Sequence, residues 1–242
     1  DVVSTIESSD VAAVTLERLP TERLLRHDRE EPSPLAVLLS TLGSVLCDWL
    51  EIETATIHLE RHGRDASSLG CDLDVTRTVG WFTALHPFEL GSDDAFSVQQ
   101  RLDSVPAGGL SFGVLRGSFQ GDPRPQMAFN FLGVTDATNE SGVRRLTPPG
   151  HLNSPHNQRP HLIDINSWVT EGRMHIEWTF DSGIHQAGDI RKLAERYVGE
   201  LAACLDDVRG TSSPEAREDA MAGLDQADLK NILDQVRFND DE

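Results

Sequence analysis

The amino-acid sequence predicts a mixed α/β domain in which helices pack on one mixed sheet. Two patterns carry this prediction, since apolar residues recur every three or four positions in some segments and every second position in others. The helical pattern is clearest at Leu35 to Leu50 and Ile190 to Leu205, and the alternating pattern at Ala55 to Glu60 and Met174 to Phe180. Because helical and strand segments interleave along the chain, a layered α/β architecture is expected.

The first predicted helix follows the Pro-containing stretch EEPSP and covers Leu35 to Leu50, whose leucines and Trp49 share one face. The next segment changes to a two-residue period, which is typical of a strand. Its two faces are apolar (Ala55, Ile57 and Leu59) and polar (Thr56, His58 and Glu60). This strand is therefore expected to bury one face and to present a polar second face.

The stretch RTVGWFTALHPFEL, from Arg77 to Leu90, concentrates aromatic residues around a proline. Its composition predicts a buried strand that bends at Pro87, with Val79, Phe82 and Leu85 in the core. Such a cluster is also typical of the wall of a binding site, so both interpretations stay open at this point.

A short helix is predicted over GSDDAFSVQQRLDSV, with Ser92 as its N-cap and Asp93 and Asp94 in its first turn. The glycine-punctuated segment PAGGLSFGVLRG, residues 106 to 117, favours a strand that another backbone approaches closely. The segment MAFNFLG, residues 127 to 133, alternates in the manner of a further strand.

The second half of the chain begins with a long polar loop, about residues 137 to 160. A hairpin follows, in which HLIDINSWV and MHIEWTF are the strands and TEGR is the turn. The last predicted helix has a continuous apolar stripe through Ile190, Tyr197 and Leu205.

The chain is predicted to divide into a domain at 1–210 and an acidic linker or docking tail at 211–242. From Pro214 onward the 29 residues include nine acidic and three basic side chains, a net charge of −6. The stretch AGLDQADLKNILDQV still places Leu224, Leu229 and Val236 on one side. This spacing predicts an amphipathic helix that packs on a partner.

The overall charge is strongly negative, because 40 acidic residues face 21 basic ones, which leaves −19. Phosphate groups would be repelled, so neither a nucleic acid nor a membrane surface is expected as a partner. The three cysteines (Cys47, Cys71 and Cys204) form no CxxC pair and favour a reducing compartment. No leader or spanning segment is recognisable, so the expected location is cytoplasmic.

Four blocks, in this order, resemble the C-terminal half of epimerization domains of nonribosomal peptide synthetases, within the condensation-domain superfamily. They are ERHGRD (Glu60 to Asp65), DVTRTVGWFTALHPFEL (Asp74 to Leu90), VPAGGLSFGVLR (Val105 to Arg116) and FNFLG (Phe129 to Gly133). One such block would be weak support, whereas four in register are specific. The similarity extends from about Val14 to Val208.

The resemblance implies a chloramphenicol-acetyltransferase-like fold, in which two lobes meet in a V and enclose the active site. The first lobe of that fold carries an HHxxxD motif, and the nine histidines of this chain include no adjacent pair. The chain is therefore expected to be the C-terminal lobe alone, with the helical tail attached. One HxxxD match, from His185 to Asp189, lacks the paired histidine and is interpreted as a surface histidine and a capping aspartate.

The implied activity is that of an isomerase in the biosynthesis of peptide natural products. Such a domain converts the L to the D configuration at the α-carbon of an aminoacyl or peptidyl thioester, and this lobe would be inactive without the HHxxxD lobe. The resemblance assigns acid/base catalysis to Glu60 and hydrogen bonding of the thioester or enolate to Asn130.

Further site residues are implied around these two. The expected substrate-channel residues are His62, Arg64, Trp81, Thr83 and Phe131, of which His62 and Arg64 are expected to hold their loop by hydrogen bonds. Asp74 and Arg77 are expected to form a structural ion pair. The family has tyrosine where this chain has Phe131, and tyrosine again at Phe112, so two hydroxyl groups are absent here.

No cofactor is expected to bind this chain, since the phosphopantetheine arm belongs to the partner, a peptidyl carrier protein. The other expected partners are the N-terminal lobe and, through the tail, a downstream synthetase module. His151, His156 and His161 recur every five residues, but no cysteine or carboxylate frame accompanies them, so no metal site is predicted. Two alternatives stay open: a noncatalytic remnant lobe that docks partners, and half of a peptide-bond-forming condensation domain.

Overall fold

Across the residues that the structure describes, the fold is a six-stranded mixed sheet with helices. The computed structural model describes residues 4–26, 31–64, 74–75, 77–115, 124–135 and 153–211. The strands are β1 (Ser9–Leu16), β2 (Ala55–Arg61), β3 (Ala84–Leu90), β4 (Met127–Val134), β5 (Ile163–Thr170) and β6 (Arg173–Asp181). The helices are α1 (Arg18–Leu25), α2 (Pro34–Leu50), α3 (Ala95–Ser104), α4 (Leu110–Leu115) and α5 (Ala187–Thr211).

The chain divides into two compact units, residues 1–202 and 203–242. All of the sheet lies in the first unit. Residues 212–242 of the predicted tail lie outside the described residues, so the tail and its boundary stay predictions.

The order of strands in the sheet is β1-β6-β5-β4-β2-β3. β4 runs parallel to both β2 and β5, whereas the other neighbours are antiparallel, which confirms the predicted mixed sheet. The predicted hairpin is formed by β5 and β6. Its two turn residues, Glu171 and Gly172, have φ of 51° and 72°, as a type I′ turn requires.

The core lies on the apolar face of the sheet, where Leu59, Phe129 and Trp178 are fully buried. Tyr197 of α5 meets the ring of Trp178 edge-on, with 6.0 Å between centroids, and its hydroxyl donates to the main-chain carbonyl of Leu38 in α2 at 3.1 Å. The two predicted long helices therefore cover this face, as their apolar stripes indicate. The opposite face carries the polar residues of β2 and is the face on which the site develops.

The stretch from Arg77 to Leu90 differs from its prediction. The strand begins only at Ala84, and Val79 is 99% exposed. Leu85 is also exposed, because it pairs with Glu60 and lies on the polar face of the sheet. Pro87 lies within the strand, and β3 tolerates it since β3 is an edge strand.

The glycine-rich segment after α3 is helical, so its prediction as a strand is wrong. A 3₁₀ turn at Pro106–Gly109 leads into α4, and Ala107, Gly108 and Gly109 all have positive φ. The predicted close approach does exist at Gly109, but it is made by the ring of His86 and not by a backbone.

Two further details near the ends of elements differ from the sequence-based expectation. The N-cap of α3 is Asp94, whose carboxylate accepts from the Ser97 N–H at 2.9 Å, and not Ser92. β1 and α1 were not predicted at all. β1 pairs with β6 along its whole length, from Ser9 opposite Asp181 to Leu16 opposite Met174, so its position is decided by a long-range partner.

Candidate active site

A cleft of about 300 Å³ opens beside the end of β2 on the polar side of the sheet. Its lining includes all of the residues that the sequence predicts as catalytic or substrate-channel residues. These are Glu60, His62, Arg64, Trp81, Thr83, Asn130 and Phe131. The fold thus brings together three segments that are far apart in sequence, although the roles of the individual residues stay predictions.

Glu60 and Asn130 lie side by side in this cleft. They are direct partners in the parallel pairing of β2 with β4, so their side chains leave the same face of the sheet about 5 Å apart. The main-chain carbonyl of Asn130 accepts from the Ser167 hydroxyl at 3.1 Å, which ties this position to β5. The carboxyl and amide groups are therefore held by the backbone of the sheet and not by a loop.

The electrostatic surroundings of Glu60 favour its neutral form. Burial raises the pKa of this carboxyl above its ordinary value, and the negative charge of Asp164 raises it further, whereas His161 lowers it. A carboxyl with a raised pKa is a better acid/base group near neutral pH than an ordinary surface glutamate.

Arg64 fastens the loop that borders the cleft. Its guanidinium donates to the main-chain carbonyls of Val75 at 2.7 Å and Thr78 at 2.9 Å, and it lies 4.3 Å from the centroid of the Phe82 ring. Its main-chain N–H donates to Nδ1 of His62 at 3.0 Å. These contacts agree with the expectation that His62 and Arg64 hold the loop by hydrogen bonds.

The predicted structural pair lies on the same loop. Asp74 and Arg77 are both exposed, and the ion pair between them stays a prediction.

Apolar side chains form an open wall of the cleft. Trp81 is 89% exposed and Leu132 is 49% exposed, although both are large and apolar. Leu132 lies at a register shift between Phe131 and Val134, where Gly133 has φ of 73°. Exposed apolar groups clustered at a cleft are typical of a binding surface.

A second cavity of about 230 Å³ adjoins the cleft and shares Thr83 with it. Its lining is mainly apolar and comes from β2, β3 and the α4 segment: His58, Thr83, Ala84, Leu85, Gly109, Leu110, Phe112 and Gly113. The block VPAGGLSFGVLR is thereby placed next to the other three. Phe112, at a position where the family has tyrosine, faces this second cavity.

A hydrogen-bonded chain of four side chains crosses the polar face near Glu60. Nδ1 of His58 lies 2.8 Å from Nε2 of His161, and Nδ1 of His161 lies 2.9 Å from Oδ1 of Asp164. Arg159 donates to Oδ2 of Asp164 at 2.9 Å. Sequence reasoning missed this chain, because His161 and Asp164 reach His58 only through sheet pairing, and the one available signal was the position of His58 on the polar face of its strand.

Several curated proteins are similar in sequence to this chain. No family model matches the chain. Tyrocidine synthase 2 of Brevibacillus parabrevis is 28% identical over 89% of this chain, which spans 7% of that protein. Chondramide synthase cmdD of Chondromyces crocatus is 32% identical over 67% of this chain, which spans 4% of it. The chain therefore spans only a small part of the curated relatives it matches.

Solved structures share the fold. The epimerization domain from the third module of tyrocidine synthetase B superposes with a TM-score of 0.76 at 26% identity, covering 88% of this chain and 51% of that chain. The chain belongs to the epimerization and condensation domain family of nonribosomal peptide synthetases. The condensation domain of the Monacolin K polyketide synthase MokA superposes at 0.61 with 14% identity, covering 85% and 49%, and shows the fold alone.

Membership in this family confirms the predicted fold class. The epimerization domain is matched over about half of its length, which is consistent with the single lobe that the four blocks indicate. The mixed sheet and its helices are thus one lobe of the chloramphenicol-acetyltransferase-like fold.

The HxxxD match of this chain, from His185 to Asp189, lies away from the cleft. His185 contacts the Trp49 ring, with 6.2 Å between centroids, and burial lowers the pKa of its imidazole. Asp189 lies in the first turn of α5, where it pairs with Lys192 at 3.8 Å. Neither residue lines the cleft, although the histidine is half-buried and not the surface residue that the sequence predicts.

Neither a group of metal ligands nor a membrane-spanning helix is found in the described part of the chain. No three His, Cys, Asp or Glu residues there are grouped to hold a metal ion; His156 is exposed, and His151 lies outside the described residues. None of the helices described there has the length and apolar composition needed to cross a bilayer.

Proposed function

We propose that this chain is the C-terminal lobe of an epimerization domain that acts on an aminoacyl or peptidyl thioester. The substrate is carried on the phosphopantetheine arm of a peptidyl carrier protein. The observation that carries the proposal is the placement of Glu60 beside Asn130 in one cleft with the predicted channel residues. The similarity to a solved epimerization domain, at 26% identity, supports epimerization over condensation.

The proposed reaction removes the α-proton on one face and returns a proton on the other. Removal forms an enolate whose negative charge lies on the thioester oxygen, and Asn130 donates an amide hydrogen to that oxygen. Glu60 takes or returns the proton on one face, for which its raised pKa is suited. The second acid/base group is the histidine of the N-terminal lobe that the resemblance implies, so this lobe alone is inactive.

The walls of the two cavities are suited to binding such a substrate. Trp81, Phe131 and Leu132 give the cleft an apolar side along which a pantetheine arm packs. Thr83 lines both cavities and therefore lies at the boundary between them.

A reconstituted exchange assay tests the proposal. The chain is combined with the N-terminal lobe of a related epimerization domain and with a carrier protein loaded with an L-aminoacyl thioester, in D₂O. We expect α-deuteration and appearance of the D isomer, and Glu60→Gln should reduce both by about 100-fold or more. Asn130→Ala should reduce them by about 100-fold through loss of the enolate contact.

The matched control is Glu89→Gln, since Glu89 is an exposed carboxylate of β3 outside the cleft. Its exchange rate should equal that of the unaltered chain. Exchange that proceeds equally well in Glu60→Gln, or that the lobe performs alone, would refute the assigned roles.

A noncatalytic docking lobe is the second candidate, and Phe131 is the observation that favours it. The family tyrosine is absent there, so a hydroxyl that takes part in proton transfer would be lost. This alternative predicts carrier binding without exchange, and it predicts that deletion of residues 214–242 weakens binding of the partner synthetase. Epimerization predicts that the same deletion leaves the exchange rate unchanged.

A further inference from the structure

The chain of His58, His161, Asp164 and Arg159 is continuous, and all of its members are buried except Asp164, whose side chain is 28% exposed. Only 6% of His58 and 8% of His161 is exposed, as is 2% of the Arg159 side chain. Arg159 also donates to the main-chain carbonyls of His161 and Thr179, each at 3.1 Å. The guanidinium is thus fully engaged and gives Asp164 a permanent positive partner.

The hydrogen positions in this chain follow from its geometry. Asp164 is ionised beside Arg159, so it accepts, and Nδ1 of His161 must carry the hydrogen that it donates. Nε2 of a neutral His161 then accepts, and His58 donates through Nδ1 across 2.8 Å. The tautomers of both rings are therefore set by the carboxylate at the end of the chain.

The same geometry limits the charge of the two rings. One added proton converts one ring to imidazolium and keeps a single hydrogen in the bridge. A second added proton would place two N–H groups head to head at 2.8 Å, which is repulsive. The two rings together hold at most one proton beyond their neutral forms.

We propose that His58 and His161 form a site for a single exchangeable proton, anchored by Asp164 and Arg159, that communicates electrostatically with Glu60. His58 and Glu60 leave the same face of β2 two residues apart. This inference rests on the proposed function, in which Glu60 is the reacting group. His161 acts through Glu60 and is therefore a positioning residue.

Several charged groups of the described residues share the polar face with the pair. In register with His58 on the neighbouring strands are Pro87 and Ala128, which are uncharged, but Glu89 lies on the same face of β3, two residues from Pro87. The α4 segment contributes Leu110 and Phe112 to the cavity that His58 lines. On the β5 and β6 side the charged groups include Arg159, Asp164 and Asp181, on which Arg159 also acts. Glu177 of β6 shares this face too, because it pairs with Asn166 in line with Asn130 and Glu60.

The charge of the histidine pair changes which protonation state of Glu60 is favoured. While both rings are neutral, burial and Asp164 favour the protonated carboxyl, as a proton donor requires. When the pair takes up a proton, the imidazolium favours the carboxylate, as a proton acceptor requires. Glu60 can therefore serve as acid or base according to the charge of the pair.

Side-chain NMR of the full chain, labelled with ¹⁵N histidine and ¹³C glutamate, tests this proposal without any substrate. We expect Nδ1–H tautomers for His58 and His161, a scalar coupling across their N–H···N bond, and uptake of a single proton by the pair as the pH is lowered. His161→Gln should move the Glu60 titration midpoint upward, and Asp164→Asn should move it downward. The control His156→Gln, at an exposed position, should leave it unchanged.

Shifts of opposite sign separate an electrostatic role from a structural one, since a general loosening of the site would move the midpoint in the same direction in both variants. Uptake of two protons by the pair, or a Glu60 midpoint that neither variant moves, would overturn the proposal. If a variant does not fold, the tautomers and proton count of the unaltered chain decide alone. Failure of the epimerization assay leaves these NMR outcomes unaffected, so the two hypotheses fail separately.

Discussion

Replacing Gly63 by alanine is expected to loosen the loop that borders the cleft. Gly63 lies between the end of β2 and Arg64, with φ of +58°, and a Cβ there would overlap the main-chain carbonyl of Phe82. Gly108 offers a matched control, because its φ is +57° and nothing lies within 4 Å of an added Cβ. The two glycines share backbone strain and differ only in steric overlap.

The expected magnitudes follow from these two contributions. An L residue in the left-handed region costs about 1–2 kcal/mol, and alanine regains about 0.4–1 kcal/mol by restricting the unfolded chain. Gly108→Ala should therefore lower the free energy of unfolding by about 1 kcal/mol. Overlap with a backbone atom adds about 1–3 kcal/mol, so Gly63→Ala should lower it by about 2–4 kcal/mol.

Urea denaturation followed by far-UV circular dichroism measures both free energies. Hydrogen exchange adds a local readout, since the main-chain amides from 82 to 85 should exchange faster in Gly63→Ala and not in Gly108→Ala. Equal losses of unfolding free energy in the two variants would refute the close approach between Gly63 and Phe82. The hydrogen bonds of Arg64 to Val75 and Thr78 would then be the contacts that hold the loop.

Three further predictions concern stability. Folding raises the pKa of Glu60 above its unfolded value of 4.5, so ionisation of Glu60 costs stability as the pH rises through its folded pKa. Glu60→Gln should therefore raise the free energy of unfolding near pH ~7 and leave it unchanged near pH ~4. Equal effects at both pH values would contradict this. Tyr197→Phe should lower the free energy of unfolding by about 1 kcal/mol, since its hydroxyl donates to a main-chain carbonyl of α2; no change in urea denaturation would show that this bond is not formed. Arg159→Met should cost about 2–3 kcal/mol, because the partly buried Asp164 carboxylate and two main-chain carbonyls lose their donor, whereas Arg196→Met, at an exposed pair, should change thermal denaturation little; similar losses in the two variants would argue against the burial of Arg159.

Local patterns predicted the elements whose partners are close in sequence and the helices whose apolar pattern continues over many residues. The helix at Pro34–Leu50 was predicted from its apolar stripe and from the Pro-containing stretch EEPSP before it, within which Ser33 is the N-cap, with its hydroxyl 3.3 Å from the Ala36 N–H. The hairpin of β5 and β6 follows from alternation and the two turn residues. These features arise from neighbours within a few positions, so the sequence alone is sufficient for them.

Predictions failed where a distant partner decides the outcome. Composition placed Leu85 in the core, but pairing with Glu60 puts it on the polar face. Glycine spacing favoured a strand at 106 to 117, but positive φ at three successive residues turns the chain into a short helix beside His86. In both cases the choice of face or element depends on contacts between segments.

By itself the sequence determined the α/β class, the long helices, the hairpin and the four blocks that identify the family. It also named seven of the residues that line the cleft, because those blocks carry them. Only the tertiary structure decided that Glu60 lies beside Asn130, since their spacing arises from the parallel pairing of β2 and β4 across 70 residues. The same pairing of distant strands brought His58 to the cluster of Arg159, His161 and Asp164. No local pattern could predict this, because the hydrogen bond between His58 and His161 joins residues 103 positions apart.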